Sequence, residues 1–150
     1  MQPLSFSWPL RVYWEDTDAG GVVYHASYVR FIERARTEWL RSLGVTQSDW
    51  QTRADRLFAV SSVQLDFLKP ARLDDALEVS VDLLQLRGAS MLFAQQVRRP
   101  ADGALLLRAK VRAVSLKASD FRPAPIPDEL IVLMTPFCLK HRFSPFAECH

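Results

Sequence analysis

Between about Ala26 and Leu43 one stretch limits the fold more than any other. Tyr28, Phe31, Ile32, Ala35, Trp39 and Leu43 recur at three- and four-residue spacings, so a helix would carry them on one face. Arg30, Glu33, Arg34, Thr37 and Arg41 fall on the other side. The pairs Arg34/Glu38 and Glu38/Arg41 add slight local support. Gly44 follows the last periodic residue, where a left-handed terminating residue is commonly needed. A helix with so broad an apolar face needs an equally broad surface to cover it.

The remaining pattern supplies that surface as strands. Leu10, Val12 and Trp14 alternate with Arg11, Tyr13 and Glu15 ahead of the helix, the period of two expected of a strand. After it, Val63, Leu65 and Phe67 alternate with Gln64 and Asp66. Leu77, Val79, Val81 and Leu83 alternate with Glu78, Ser80 and Asp82. Further runs span Met91 to Arg98 and Leu105 to Leu116. Leu86–Ala89 and Pro100–Gly103 are compact turns, which suit antiparallel pairing and leave no room for crossover helices. Strand, helix, then four strands reads as α+β, one long helix on an antiparallel sheet. Residues 45–58 read as an irregular connection with at most a short helical piece. Pro123, Pro125 and Pro127 should break any regular element. The end, from Phe137 to His150, reads as a loosely held tail. Its Phe137, Phe143 and Phe146 are candidates for contact with a neighbouring subunit or membrane surface.

At 150 residues the chain is the size of one domain. Its net charge of +2 argues against a strongly basic nucleic-acid binder. No uninterrupted apolar run is long enough to span a membrane, and the start has no secretory pattern. Cys138 and Cys149 lack metal-ligand spacing, so neither a disulfide framework nor a metal site is expected, and a reducing cytoplasm is the default. His25, His141 and His150 are scattered, which also leaves no metal-ligand cluster.

Chemistry concentrates in the segment Asp16-Thr-Asp18-Ala-Gly20-Gly21-Val-Val-Tyr24-His25-Ala-Ser-Tyr28. A carboxylate lies between a strand and a helix start. Gly20 and Gly21 allow backbone to approach a ligand closely. The helix start offers unpaired N–H groups and partial positive charge, which would polarise an acyl carbonyl and stabilise a developing oxyanion. A nearby carboxylate could then attack that carbonyl or activate water. Asp16 and Asp18 could equally be turn or cap residues, and His25 could cap, pack or sit at the surface.

This segment, continuing through Glu33-Arg-Ala-Arg36 and Glu38, closely resembles the hotdog-fold acyl-CoA thioesterases. Within them it is most similar to the 4-hydroxybenzoyl-CoA thioesterase-like branch that holds the Tol–Pal-associated (YbgC-type) enzymes. The resemblance runs from about Leu10 to Leu130. It includes Val63–Asp75, Leu86-Arg87-Gly88-Ala89 and Phe121–Pro127. It implies a hotdog domain over residues 1–136, one long helix wrapped by a five- to six-stranded antiparallel sheet, with 137–150 as a tail. It also implies dimers that join into homotetramers, with active sites at the dimer interface. Under it, Asp18 is the catalytic nucleophile or general base. His25 sits where a backbone N–H holds the thioester oxygen, and its imidazole assists. Gly21 and Tyr24 shape the loop, while Asp16 is structural. Arg87 and Arg122 are the candidates for coenzyme A phosphates, with Ser90 a lesser one. Coenzyme A would be part of the substrate, with no separate cofactor and no metal.

The expected reaction is hydrolysis of an acyl-CoA to free acid and CoA. An acyl-CoA or acyl-carrier-protein binding module with little turnover is the alternative. A hotdog dehydratase ranks below both, because it would place its histidine and acid differently. An acyl carrier protein stands as a second partner. Phe31, Trp39, Phe58 and Phe67 are the residues that could narrow an acyl pocket.

Overall fold

The computed structural model describes residues 4–139 and 148–149. Helix α1 (Ser27–Ser42) lies close to the expected bounds, with Ala26 and Leu43 as its flanking residues. Gly44 has φ +82°, and its N–H reaches Arg41 O while Val45 N–H reaches Leu40 O. The helix therefore ends where a residue that tolerates the left-handed region stands. Phe31, Ile32, Ala35 and Trp39 are fully buried. Each large apolar side chain among them contributes about 1.5–3 kcal/mol relative to exposure.

The covering surface is a sheet of β1 (Phe6–Arg11), β2 (Arg56–Phe67), β3 (Ala76–Arg87), β4 (Ser90–Arg99) and β5 (Ala104–Lys117). Its order is β1-β3-β4-β5-β2, with antiparallel pairing throughout. Short hairpins join β3 to β4 and β4 to β5, as their turn residues predict. Alternate residues of β3, β4 and β5 turn inward under α1, among them Val79, Val81, Phe93, Val97, Leu107 and Val111.

Helix α1 lies on the β1 and β3 side of this sheet. The inner face of the edge strand β2 is consequently only partly covered, with Phe58 and Leu65 packed against the core. Phe58, Val60, Val63, Leu65 and Phe67 stand beside inward-facing residues of β5. A bulge between Val60 and Ser62 keeps this apolar row on one face. Yet Val60, Val63 and Phe67 remain 48%, 41% and 52% exposed.

Several expectations need correction. The first strand ends at Arg11, and Trp14 lies in a 3-10 turn (Trp14–Asp16) with 84% of its surface exposed. The alternation that assigned it to the buried face stops at Val12, whose N–H bonds to Asp75 O. The short helical piece allowed in the connection after α1 is present as α2 (Gln47–Arg53), anchored by buried Trp50, whereas β2 begins at Arg56, inside the stretch read as irregular. The proline cluster does interrupt regular structure as expected, and α3 (Asp128–Met134), not anticipated, follows it and buries Leu130 and Met134. Pro127 flanks that helix, a place where its missing N–H costs nothing.

The chain end is tied down where it is described. Phe137 packs edge-on against Trp39 at 5.5 Å, within the same chain. Cys138 makes an isolated parallel bridge with Leu83, and β6 (Glu148–Cys149) pairs in parallel with β3. Contrary to expectation, Cys138 is disulfide-bonded. Its place in the sequence gave no hint, because a disulfide depends on which segments the fold brings together. His141, Phe143, Phe146 and His150 lie outside the described residues.

Candidate active site

The loop from β1 to α1 folds as a small hairpin. Thr17 bridges Val23, Asp18 N–H bonds to Val22 O at 2.9 Å, and Tyr24 N–H bonds to Asp16 O at 2.8 Å. Asp16 holds this arrangement together. It is buried, its Oδ2 accepts from Tyr13 N–H at 2.8 Å, and its Oδ1 faces Arg30 Nη2 at 3.4 Å. Ser27 Oγ donates to its carbonyl oxygen at 3.1 Å. Loop and first helical turn are thereby one unit, and Asp16 is fully used in building it.

Asp18 stands at the exposed tip. Its Oδ1 accepts from Gly20 N–H at 2.8 Å. Its Oδ2 has no hydrogen-bond partner among the described residues, so one oxygen is fixed and the other is open to chemistry. Gly21, at φ +79°, makes the turn, and its N–H bonds to Asp18 O at 3.0 Å. A side chain there would be forced into a region that residues with a Cβ avoid.

His25 is exposed, with its ring against that of Tyr24 at 4.5 Å. No side chain caps α1. The backbone N–H groups of His25 and Ala26 have no acceptor among the described residues, whereas Ser27 N–H is satisfied by Tyr24 O at 2.8 Å. Hairpin register separates Asp18 from His25 by roughly 10 Å along the chain, room enough for a thioester group between them. Beside the helix start is a depression of about 220 Å³ lined by Val23, His25, Tyr28, Phe67, Leu68 and Pro70.

The structure thus gathers Asp18, Gly21, Tyr24 and His25. It does not bring Arg87, Ser90 or Arg122 to them within one chain. Ala76 begins β3 beside Arg11, near the loop, and Arg87 ends β3 at the far side of the sheet, roughly 35 Å away at strand rise. Ser90 Oγ donates to Arg87 O at 3.2 Å. Arg122 O accepts from Lys117 N–H, beside the Arg56 end of β2. Of the four residues considered for narrowing a pocket, Phe31 is core, Phe67 is half exposed beside the loop, and Trp39 and Phe58 line a separate slot under the second half of α1. Among the described residues no group of His, Cys, Asp or Glu could hold a metal ion, and no helix is long and apolar enough to cross a membrane.

Sequence reasoning missed the supports of the site. Tyr28 is buried, and its hydroxyl oxygen accepts from Ala71 N–H at 3.1 Å. Burial raises the pKa of this phenol, partly offset by that bond. Ala71 O in turn accepts from Val23 N–H at 2.9 Å, so Tyr28 ties the 70–72 segment to the hairpin that carries Asp18. Arg99 reaches Asp75 at 3.0 Å and Asp102 at 2.8 Å. Asp75 also caps the turn by accepting from Arg72 N–H. Only Tyr28 carried a hint, as a polar-tipped residue on the apolar helix face.

A family model described as the thioesterase-like superfamily matches residues 12–133. An acyl-CoA thioester hydrolase YbgC of Escherichia coli O6:H1 is 43% identical over 132 residues, covering 87% of this chain and 96% of the relative. An acyl-CoA thioesterase YbgC of Haemophilus influenzae is 42% identical, over 83% of this chain and 90% of that protein. Among solved structures, a hypothetical protein of Thermus thermophilus superposes with a TM-score of 0.82 at 28% identity, over 91% of this chain and 99% of that one. A 1,4-dihydroxy-2-naphthoyl-CoA thioesterase of Synechocystis gives the same TM-score at 24% identity, over 87% and 96%, a likeness of fold alone.

Proposed function

The chain belongs to the thioesterase-like superfamily and has the hotdog architecture of its structural neighbours, and on that premise we propose that it hydrolyses acyl-CoA thioesters at the tip of α1. The observation that carries this reading is the pairing of an uncapped helix start, with free N–H groups at His25 and Ala26, and a carboxylate held by a single oxygen on the adjoining hairpin.

The thioester carbonyl oxygen lies at the His25 N–H, where the helix terminus favours the negative charge that develops on it. Asp18 acts in one of two ways. As a base it takes a proton from water as the water oxygen bonds to the carbonyl carbon. The tetrahedral intermediate then collapses, the C–S bond breaks, and the proton passes to the departing thiolate. As a nucleophile its free oxygen displaces the thiolate to give a mixed anhydride, which water opens to acid and regenerated carboxylate. The His25 imidazole assists proton transfer.

The half-exposed apolar row on β2 supports a dimer. An edge strand with an exposed apolar face is a template for pairing, and a twofold axis across β2 would set it antiparallel to its copy. The Arg56 end of one chain then meets the Phe67 end of the other. That brings Arg122 of one protomer, and with it the Arg87 end of the sheet, toward the Asp18 loop of the other, which would reunite the CoA contacts separated within a single chain. Further association to a tetramer, and an acyl carrier protein as a second acyl donor, follow from the family likeness.

The test is thiol release from a panel of acyl-CoAs. Asp18→Asn should keep its circular dichroism and oligomer size and lose about 100-fold or more of the rate. A variant as active as the parent would refute the assignment. Tight binding by the parent without cleavage would make it a binding module instead.

A further inference from the structure

Residues 68–75 connect β2 to β3 and pass beside the hairpin that carries Asp18. Arg72 makes an isolated antiparallel bridge with Val22, secured by the Val23 N–H on Ala71 O at 2.9 Å. Val22 in turn stands opposite Asp18, whose N–H bonds to Val22 O at 2.9 Å. Asp18, Val22 and Arg72 are therefore neighbours in a row across three short strands. Directly opposed residues of an antiparallel pair project to the same face, so one face carries all three side chains. Val23, which alternates with Val22, is buried on the other face, whereas Asp18 and Arg72 are exposed. Opposed Cα atoms lie about 4.5–5.5 Å apart, which sets the Asp18 and Arg72 Cα atoms roughly 10 Å from each other. Arg72 is the cation of this face left free. Its backbone N–H bonds to Asp75 Oδ2 at 2.9 Å and fixes the root of the side chain. Its guanidinium has no hydrogen bond or ion pair among the described residues. The neighbouring cations are engaged or placed elsewhere. Arg30 is held by Asp16 and Ser27, Arg11 donates to Asp74 O, and Lys69 lines the depression on the Val23 side.

We propose that Arg72 is a further catalytic residue of this site, its guanidinium holding the sulfur of the substrate as it departs as a thiolate. The proposal rests on the hydrolase reading above, and every residue it uses belongs to one chain. In that reading the carbonyl oxygen has the His25 N–H and the Asp18 carboxylate has the Gly20 N–H, but the departing sulfur has no donor. A scissile carbon within reach of Asp18 lies about 3–3.5 Å from the attacking atom. Its sulfur is one bond further, inside the gap between Asp18 and Arg72. When the tetrahedral intermediate collapses, the C–S electron pair goes to sulfur. A guanidinium stays protonated, so it stabilises that charge through charge-assisted N–H contacts without giving up a proton. The proton comes instead from the Asp18 carboxyl, which took it from water. A thiolate whose acid has a pKa of about 8.5 draws it from a carboxyl of about 3.9. On the nucleophilic route the same thiolate leaves as the anhydride forms, and its proton comes from the water that opens the anhydride.

Two measurements test this role. In Arg72→Met, kcat/KM for acyl-CoA should fall about 10- to 150-fold, the loss of one charge-assisted hydrogen bond. Its urea melt should match the parent, since the guanidinium makes no contact within the fold. Arg72→Lys, which keeps the charge, should recover part of the rate. The second measurement needs no turnover. With Asp18→Asn protein in excess, the thiol of CoA, followed by the ultraviolet absorbance of its thiolate, should titrate about one pH unit or more below free CoA, a tenfold stabilisation of the thiolate. Adding Arg72→Met should return it to the free value. A parental kcat/KM in Arg72→Met, or a CoA thiol that titrates alike with and without Arg72, overturns the role of Arg72 and leaves the hydrolase reading standing. A thiol whose titration is lowered by Arg72, in a protein that cleaves no acyl-CoA, supports the contact with sulfur and removes the hydrolase reading.

Discussion

Adjacent glycines in the hairpin that carries Asp18, the proposed catalytic carboxylate, should respond to alanine in opposite ways. A Cβ at Gly20 would lie 3.1 Å from Asp18 Oδ1. Ordinary van der Waals contact begins at 3.4 Å, so the carboxylate must withdraw by about 0.3 Å. Gly20 is not in the positive-φ region, so its backbone carries no strain. The Asp18 side chain is exposed and can give way, and stability should change by under about 0.5 kcal/mol. Catalysis has less latitude. A misplacement of 1 Å can cost about 100-fold, which scales to about fourfold for 0.3 Å. Complete loss of the charge-assisted Gly20 N–H bond, at about 1.5–3 kcal/mol, sets a ceiling near 10- to 150-fold. At Gly21 nothing lies within 4 Å of a new Cβ, but φ is +79°. Gly21→Ala should therefore cost about 1–2 kcal/mol of stability. Urea melts and initial rates of thiol release, run on both variants, separate the two effects. Gly20→Ala with parental kcat, or with a stability loss equal to that of Gly21→Ala, would refute the placement of Asp18 Oδ1 against Gly20.

Three further outcomes are expected. Tyr28→Phe removes the acceptor for Ala71 N–H and should cost about 1–3 kcal/mol in a urea melt; a variant as stable as the parent would show that the 70–72 segment is held by other means. Asp102 is held down to about 2, first by its hydrogen bonds from Arg99. A depressed carboxylate contributes stability above its unfolded pKa of about 3.9 and loses it as pH falls toward 2. The acid limb of a pH–stability profile should flatten in Asp102→Asn, and an unchanged limb would count against the pair. Val63→Asp places a charge in the exposed apolar row of β2 and should shift the protein toward monomer in sedimentation velocity, with thiol release falling in step; a variant that keeps both oligomer and rate would exclude β2 as the shared edge.

Much of the fold was legible because it is local. The apolar spacing from Tyr28 to Trp39 marks the helix, and Gly44 its end. Alternation in β3, β4 and β5 and the turns at Arg87–Gly88 and Asp102–Gly103 mark the hairpins, since neighbours in sequence make those contacts. The candidate catalytic loop was legible for the same reason, as Asp18, Gly21, Tyr24 and His25 stand within a few residues of one another. Trp14 misled because alternation continues on paper after the strand has ended.

What depends on partners distant in sequence was decided by the tertiary structure. No local signal places β2 beside β5 at the sheet edge, and that placement leaves Val60, Val63 and Phe67 about half exposed. Nor does any local signal put Arg87 and Arg122 a sheet's length from Asp18, set Ala71 against the Tyr28 hydroxyl, or bring Arg72 beside Val22. Helical and strand periods record which face of an element is apolar. They hold no record of which other element covers it, because that is set by competition among all the apolar faces for the same interior.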